Sequence, residues 1–501
     1  MDQSWVMLDR VSFAYETASR PLLEDLSAHF PTGWTGIIGA NGVGKTTILR
    51  LATGELTPQA GRVRTPGRAI YCPQRTDTPP NHLEEMLQAA DARVCELKGR
   101  LGVDEDWPMR WDTLSHGERK RAQIAVVLWL RPEVLAIDEP TNHIDAEARA
   151  LLASALRTFE GVGLLVSHDR ELLDTLCRQC LFVDPPHAVM RPGGYAEGAQ
   201  QAQREAAQHR RDRKIASAAY VRLQREAVKR REEASRADRK RSKRGLAPRD
   251  HDARAKIDLA RVTGKDARAG QLLNQIRGRL SQAEQRLERI KVKKVYQLGI
   301  WVPGSRSHRD YLFRLPAGTV SLGVLRRLRF PETMMRPEDR IALTGPNGTG
   351  KTTLIRHILS RVDVPREKVT YVPQEIDLES SIETMARVRG LRDETLGRVM
   401  ALVSRLNSRP ARLLESNEPS PGEIRKVLLA LGIAREPHLI IMDEPTNHLD
   451  LPSIECLEQA LEGCPCALLL VSHDLRFLNR LTETRWRIVP AVDGSQLLVE
   501  Q

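Results

Sequence analysis

Two α/β nucleotide-binding domains joined by a long basic α-helical hairpin are the fold that this 501-residue chain predicts. Three observations predict it: a phosphate-binding loop that occurs twice, further motifs that follow each copy in the same order, and one stretch between the copies that holds the positive charge.

The loops are Gly39-Ala-Asn41-Gly42-Val-Gly44-Lys45-Thr46-Thr47 and Gly345-Pro-Asn347-Gly348-Thr-Gly350-Lys351-Thr352-Thr353. Both fit G-x-x-x-x-G-K-[ST], in which glycines let backbone N–H groups wrap a polyphosphate, the lysine reaches its terminal phosphates and the threonine hydroxyl meets Mg²⁺. Each follows an apolar run ending in Gly36-Ile-Ile or Ile341-Ala-Leu and precedes a helix-compatible stretch. That strand, loop and helix order is what phosphate binding requires, because the first helical N–H groups are unpaired. Two copies imply two nucleotides.

Composition narrows the classes. The longest apolar stretches, such as Ile124–Leu130, fall far short of the ~20 residues that cross a bilayer, so no transmembrane segment is expected. The Met1-Asp-Gln-Ser-Trp start lacks a basic and apolar leader, and seven cysteines are too few for a disulfide framework. A reducing, cytoplasmic setting follows. Cys177-Arg-Gln-Cys180 and Cys464-Pro-Cys466 read as packed helical thiols rather than metal ligands, for want of a second ligand pair.

After each loop the same landmarks recur. Tyr71-Cys-Pro-Gln74 matches Tyr371-Val-Pro-Gln374, and Leu114-Ser115-His-Gly117-Glu118 matches Pro419-Ser420-Pro-Gly422-Glu423. Val134-Leu-Ala-Ile-Asp138-Glu139 and its Pro-Thr-Asn-His-Ile-Asp145 match Leu439-Ile-Ile-Met-Asp443-Glu444 and Pro-Thr-Asn-His-Leu-Asp450. Leu164-Leu-Val-Ser-His168-Asp169 matches Leu469-Leu-Val-Ser-His473-Asp474. This order of phosphate loop, glutamine loop, signature, Asp-Glu strand, aspartate loop and switch histidine resembles the P-loop ATP-binding cassette (ABC) domain. The expected domains are a first cassette at 1–195, a linker at 196–300 and a second cassette at 301–501.

Residues 201–300 carry 29 Lys and Arg against 12 Asp and Glu, a net of +17, which leaves the remaining 401 residues at −5. Arg204 to Arg244 reads as one helix with a shallow stripe at Ala216, Tyr220, Leu223, Ala227 and Ala234. A return helix spaces Leu273, Ile276, Leu280, Ala283, Leu287 and Ile290 at heptad intervals, with the helix breakers Gly245 and Pro248 between the two. The turn of this antiparallel hairpin carries Arg241, Lys243, Arg244 and Arg249, which suit phosphate backbones better than a spacer that needs only solubility.

The ABC resemblance implies that each ATP is sandwiched between the phosphate loop of one copy and the signature of the other, in an intramolecular sandwich within a monomer. Site one would join Lys45, Thr46, Gln74, Asp138, Glu139 and His168 to Ser420 and Gly422. Site two would join Lys351, Thr352, Gln374, Asp443, Glu444 and His473 to Ser115 and Gly117. Thr46 with Asp138, and Thr352 with Asp443, would hold Mg²⁺. Glu139 and Glu444 would activate or orient the attacking water, since phosphoryl transfer depends on positioning and charge neutralisation.

Three departures stand out. His116 and Pro421 occupy the place of the signature's first glycine, and Pro419 that of its leucine. Pro421 has no N–H to offer a phosphate, so unequal sites are expected. Tyr15 is placed to stack on adenine in the first copy, whereas the second, near Thr319–Leu322, offers only Leu322 or the more distant Tyr311.

Among twin cassettes without membrane spans, a recycling factor would need a cysteine-rich N-terminal domain and a repair ATPase zinc-bearing insertions, and the chain has neither. An importer motor has only a short linker. The long charged hairpin, the Asp-Glu-Pro-Thr-Asn-His run and the glutamates Glu118 and Glu423 closing both signatures resemble the ABC-F family. That resemblance implies binding in the ribosomal tRNA exit site, with rRNA and P-site tRNA as partners and the linker reaching toward the peptidyl-transferase centre. A helix of ~40 residues extends ~60 Å, long enough for this reach. Ser115 stands only 41 positions after Gln74 and Ser420 only 46 after Gln374, so neither copy shows an inserted arm. This resembles the ribosome-protection branch, which dislodges antibiotics; a housekeeping factor relieving stalled ribosomes, or an importer's tandem ATPase, are the alternatives.

Overall fold

A computed structural model describes residues 4–16, 21–89, 91–142, 144–241, 267–289, 305–323, 326–408, 410–415, 419–491 and 495–500. It forms two compact units, one of Met1–Gly198 with Leu298–Gln501 and one of Ala199–Gln297. The first contains both copies of the repeat.

In the first copy, β1 (Trp5–Phe13), β2 (Leu23–Pro31) and β4 (Ala60–Arg64) form an antiparallel sheet in the order β2-β1-β4. A six-stranded sheet runs β5 (Ala69–Cys72), β6 (Val134–Asp138), β7 (Val162–Val166), β3 (Gly33–Gly39), β8 (Cys177–Asp184), β9 (His187–Pro192). Every residue of β6 and β7 is buried. These strands read as uninterrupted apolar runs because a parallel strand is covered on both faces. One core joins the two sheets, with Leu8, Phe30, Ile37, Leu49 and Leu164 at its centre. Cys177 and Cys180 pack in β8 as buried thiols, on a strand and not on a helix; Leu181 and Val183 continue its buried run, a strand signal that the C-x-x-C spacing obscured.

The second copy repeats this design. Its eight-stranded sheet runs β11 (Gly318–Ser321), β12 (Arg327–Phe330), β19 (Gln496–Glu500), β18 (Thr484–Pro490), β14 (Arg340–Thr344), β17 (Ala467–Val471), β16 (Leu439–Asp443), β15 (Val369–Val372). Read from β15 to β19, the order is that of β5 to β9. The antiparallel strands differ: β11 and β12 join the main sheet through β19, while β10 (Phe313–Leu315) pairs with β13 (Thr333–Met335) alone.

Between its glutamine loop and Asp-Glu strand each copy inserts helices, Leu83–Gln88, Ala92–Leu101 and His116–Trp129 in the first. Asp91 caps the second of these by accepting from Arg93 N, and Val94, Leu97 and Leu101 form its buried face. The counterparts in the second copy are Leu378–Arg389, Asp393–Arg405 and Pro421–Ile433.

The long linker helix spans Tyr195–Arg241, beginning nine residues before the expected Arg204. The Asp174 carboxylate accepts from Ala196 N at 2.8 Å and so caps its first turn, a long-range partner that local sequence does not announce. Along the helix Ala216 is buried and Tyr220, Leu223 and Ala227 are half-buried, as the stripe requires. The return helix spans Ala267–Arg289, with Ile276 buried. Lys243, Arg244 and Arg249, together with the turn, lie outside the described residues, and Arg241 is described only as the last residue of its helix.

Candidate functional site

Both phosphate loops join a strand to a helix, β3 to Lys45–Ala52 and β14 to Lys351–Leu359. They lie at the carboxyl ends of parallel strands, where open α/β sheets bind their ligands. The residue before each helix, Gly44 at φ 98° or Gly350 at φ 96°, needs the left-handed conformation that glycine adopts at least cost. Asn41, Gly42, Asn347 and Gly348 are exposed at the tips, and Gly39 and Gly345 close the strands. Lys45 Nζ donates to Gly39 O at 2.9 Å and Ala40 O at 3.0 Å, and Lys351 Nζ to Gly345 O at 2.7 Å and Pro346 O at 3.0 Å. Burial lowers both lysine pKa values, partly offset by nearby carboxylates.

Thr46 Oγ1 donates to Asp138 Oδ2 at 2.7 Å, and Thr352 Oγ1 to Asp443 Oδ2 at 2.6 Å. Asp443 Oδ1 is buried without a hydrogen-bond partner among the described residues. A hydroxyl and a carboxylate held side by side, with an oxygen left over, are the hard oxygen ligands that suit Mg²⁺. The neighbouring Thr47 is buried and shares a 3.0 Å hydrogen bond with the Tyr15 hydroxyl, whereas Thr353 is half-buried. Tyr15 stands edge-on to Phe13 and is 39% exposed. Leu322 packs over Gly350, as Leu22 and Leu23 pack over Gly44.

Glu139 and Glu444 follow β6 and β16 with φ of 45° and 49°, a conformation uncommon outside glycine. In each case the backbone N–H donates to a strand residue, Val166 O or Val471 O, at 2.8 Å. This turn aims the carboxylate at the switch histidine: His168 N donates to Glu139 Oε2 at 3.1 Å, with His168 Nε2 3.1 Å from Oε1. The second copy gives 3.3 Å for both contacts of His473 with Glu444. Burial pushes Glu139 up to about 8 and Glu444 up to about 7, and drives both histidines down to about 3. The histidines are therefore neutral, and the glutamates sit in the range where a base can take a proton near neutrality.

Each signature begins a helix through a capping box. Ser115 Oγ and Ser420 Oγ accept from the backbone of Glu118 and Glu423 at 3.3 Å, and those carboxylates accept from the serine N–H groups at 2.7 and 3.1 Å. Pro421 is the first residue of its helix, where the missing N–H costs the helix nothing. Gly117 and Gly422 pack against their own aspartate loops: a Cβ on Gly422 would lie 2.6 Å from His448 O. Gln74 is exposed after β5, and Gln374 is half-buried after β15.

Two residues here escaped sequence reasoning. Lys120 donates to Pro73 O at 2.6 Å and Gln123 Oε1 at 2.8 Å. Its counterpart Arg425 donates to Gln374 O, to Asn447 O at 2.5 Å and to Glu444 O at 3.4 Å. Each is almost fully buried and ties the glutamine loop to the signature helix. The positively charged run after each signature was the only sequence sign of this role. Arg425→Ala is expected to slow ATP turnover about ten-fold or more, because misplacing a reacting group is costly. Measuring kcat and KM for ATP checks this; unchanged kcat would remove Arg425 from the machinery.

The two copies meet at these loops. Asn41 N donates to Asp450 Oδ2 at 2.8 Å, and Asn41 Nδ2 to His448 O at 3.3 Å, so the first phosphate loop touches the second aspartate loop beside Gly422. Electrostatics is reciprocal: Asp450 raises the pKa of Lys45, and Asp145 that of Lys351. Each copy thus places a carboxylate near the other's lysine.

Comparison with known proteins agrees with this geometry. The family model described as "ABC transporter" matches residues 23–142 and again 331–447. The tylosin resistance ATP-binding protein TlrC of Streptomyces fradiae is 31% identical, over 89% of this chain and 90% of its own length. The chain belongs to the ABC-F family. A further relative of this ABC-F protein is the ribosome protection protein VmlR of Bacillus subtilis (strain 168), 28% identical over 96% of this chain and 86% of its own. A solved structure described as "RNase-L Inhibitor" aligns with a TM-score of 0.64 and 18% identity over 98% of this chain and 90% of its own, which shows a common fold. The ABC-F chain is an ATPase with two cassettes. No helix among its described residues is long and apolar enough to cross a membrane.

Further links between the cassettes of this ABC-F protein run through charged groups. Arg170 Nη2 donates to Glu458 Oε1 at 2.5 Å and Asp474 Oδ2 at 2.9 Å, Arg476 Nη2 to Asp174 Oδ2 at 2.6 Å, and the Tyr195 hydroxyl to Glu455 Oε1 at 2.5 Å. None was read from the sequence, since pairs separated by some 300 positions leave no local pattern.

Proposed function

We propose that this ABC-F ATPase acts on the ribosome and protects it from an antibiotic. The observation that carries the reading is the pair of relatives, one named for tylosin resistance and one for ribosome protection, each aligned over most of both chains. The basic linker supports it, because a segment with a net charge of +17 seeks a polyanion such as rRNA or tRNA. In this reading the protein occupies the tRNA exit site as a monomer, and the linker at 196–300 between cassettes 1–195 and 301–501 extends toward the peptidyl-transferase centre. Arg241, Lys243, Arg244 and Arg249 contact phosphate.

Two ATP molecules with Mg²⁺ close the cassettes and favour the ribosome-bound form. Lys45 and Lys351 would neutralise the terminal phosphates, Thr46 with Asp138 and Thr352 with Asp443 would hold the metal, His168 and His473 would contact the γ-phosphate, and Glu139 and Glu444 would take a proton from the attacking water. Hydrolysis reopens the pair. Pelleting ribosomes with the Glu139→Gln, Glu444→Gln protein at fixed moderate salt tests this. Co-sedimentation is expected with ATP and not without it; absence of binding by a protein that still binds ATP would sink the ribosomal reading.

A further inference from the structure

The two cassettes are similar enough for position-by-position comparison between Ser115 and Asp169, because Ser420 to Asp474 has the same spacing. Over this stretch Arg149 reaches the backbone of the other cassette's switch histidine. Arg149, in the helix Ala146–Leu156, donates through Nη1 to His473 O at 3.1 Å, while its Nε lies 2.9 Å from Asp169 Oδ2. The His473 backbone N–H in turn donates to Glu444 Oε2 at 3.3 Å. A continuous path therefore runs from Asp169 of the first cassette, through Arg149, to the backbone of the switch histidine and the carboxylate of Glu444. The guanidinium, mostly buried with 17% of its side chain exposed, also biases both groups electrostatically: its charge favours ionised Glu444 and neutral His473.

The corresponding position in the second cassette is Ile454, which is buried and cannot donate a hydrogen bond. The first site consequently has no equivalent path. We propose that Arg149 is a positioning residue for ATP hydrolysis at the second site alone, fixing the His473 backbone against Glu444 when the first cassette is in place. The second site then senses its neighbour at the switch histidine, through a charged hydrogen bond that Ile454 cannot make to the first. This asymmetry is independent of the one introduced by Pro421. It falls on the opposite site, because Pro421 belongs to the signature that would complete site one.

Phosphate release at saturating ATP, so that both sites are filled, and in the absence of ribosomes separates the two sites. The Glu139→Gln protein reports the second site and the Glu444→Gln protein reports the first. Adding Arg149→Ile, which makes the two cassettes alike, is expected to slow release roughly ten-fold or more in the Glu139→Gln protein. In the Glu444→Gln protein the change should stay within about two-fold, and ATP affinity should move less than the rate in either. Arg149→Lys should recover part of the loss, because it keeps the charge without the planar fork. The Glu444→Gln protein carrying Arg149→Ile also serves as the folding control, since general damage would slow both sites. Equal slowing in both proteins overturns the proposal. So does unaltered release from Glu139→Gln, or a second site that releases no phosphate before Arg149 is touched.

Discussion

The Glu139→Gln, Glu444→Gln protein is expected to turn over ATP about 10²- to 10⁴-fold more slowly than the parent, the usual worth of a positioned base. The geometry concentrates catalysis on these two carboxylates. Each is held in a left-handed turn, buried, and in contact with a switch histidine that burial keeps neutral. Glutamine keeps the shape and the acceptor oxygen but cannot take a proton. A steady-state phosphate-release assay decides the matter, and wild-type turnover in the double variant would exclude both glutamates as bases.

The same substitution has a stability signature that separates lost chemistry from lost fold. Burial raises the folded pKa of Glu139 to about 8 and of Glu444 to about 7, above the ordinary value of 4.5. Their contribution to stability is therefore complete below the unfolded value and is lost as pH rises through the folded values. The depressed histidines act in the opposite direction, and only below their ordinary 6.5. Between pH 6.5 and 8 the two histidines no longer oppose the glutamate trend, so without nucleotide the thermal midpoint of the parent should fall across this window. The double variant should vary less. An equally steep fall in both would show that the carboxylates do not titrate there.

Arg170→Leu is expected to be the most destabilising single change at the cassette interface. Arg170 is 7% exposed and bridges Glu458, itself 2% exposed, and Asp474. Removing the guanidinium leaves Glu458 with only the more exposed Arg480, 3.1 Å away, and breaking a buried pair typically costs about 3–5 kcal/mol. Leucine is the residue at the equivalent position, Leu475, so the side chain suits the local helix. Denaturant unfolding measures the loss. Adding Glu458→Leu should recover part of it, because an apolar pair does not strand a charge, and the double-mutant cycle isolates the coupling. A single change costing less than about 0.5 kcal/mol would place this cluster among the weak surface pairs.

What was legible in the sequence was local chemistry. A phosphate loop, an Asp-Glu pair ending an apolar run and a Ser-x-Gly-Glu signature each declare themselves within ten residues, and Lys45, Thr46, Asp138, Glu139 and Ser115 fall in such runs. The fold was legible for the same reason: short apolar runs beside helix-compatible stretches suggested an α/β sheet, and one of them, around Leu164-Leu-Val, lies in the buried strand Val162–Val166. Partners made by folding were not legible. Lys120 and Arg425 sit in charged runs after the signatures, which give no sign of their contacts with the glutamine loops. The start of the linker helix at Tyr195 is set by Asp174 and Glu455, from another helix and another cassette. Cys177 and Cys180 were misassigned to a helix because a spacing of three suits one, while the burial of their strand depends on β3 beside them.

The contacts of Arg149 and Arg170 divide the labour of the repeat: the first copy supplies these two guanidinium groups, and the second supplies the carbonyl of His473 and the carboxylates of Glu458 and Asp474. Ala153 stands where Glu458 stands in the other half, and Ile454 and Leu475 where the arginines stand. Neither half is therefore its own complement. Two copies of the first half would keep a histidine carbonyl and an aspartate for these arginines but set Arg170 against Ala153 in place of a glutamate, and two copies of the second would leave Glu458 facing leucine. Carrying both halves in one chain, joined by one linker, keeps the two unlike kinds at equal dose.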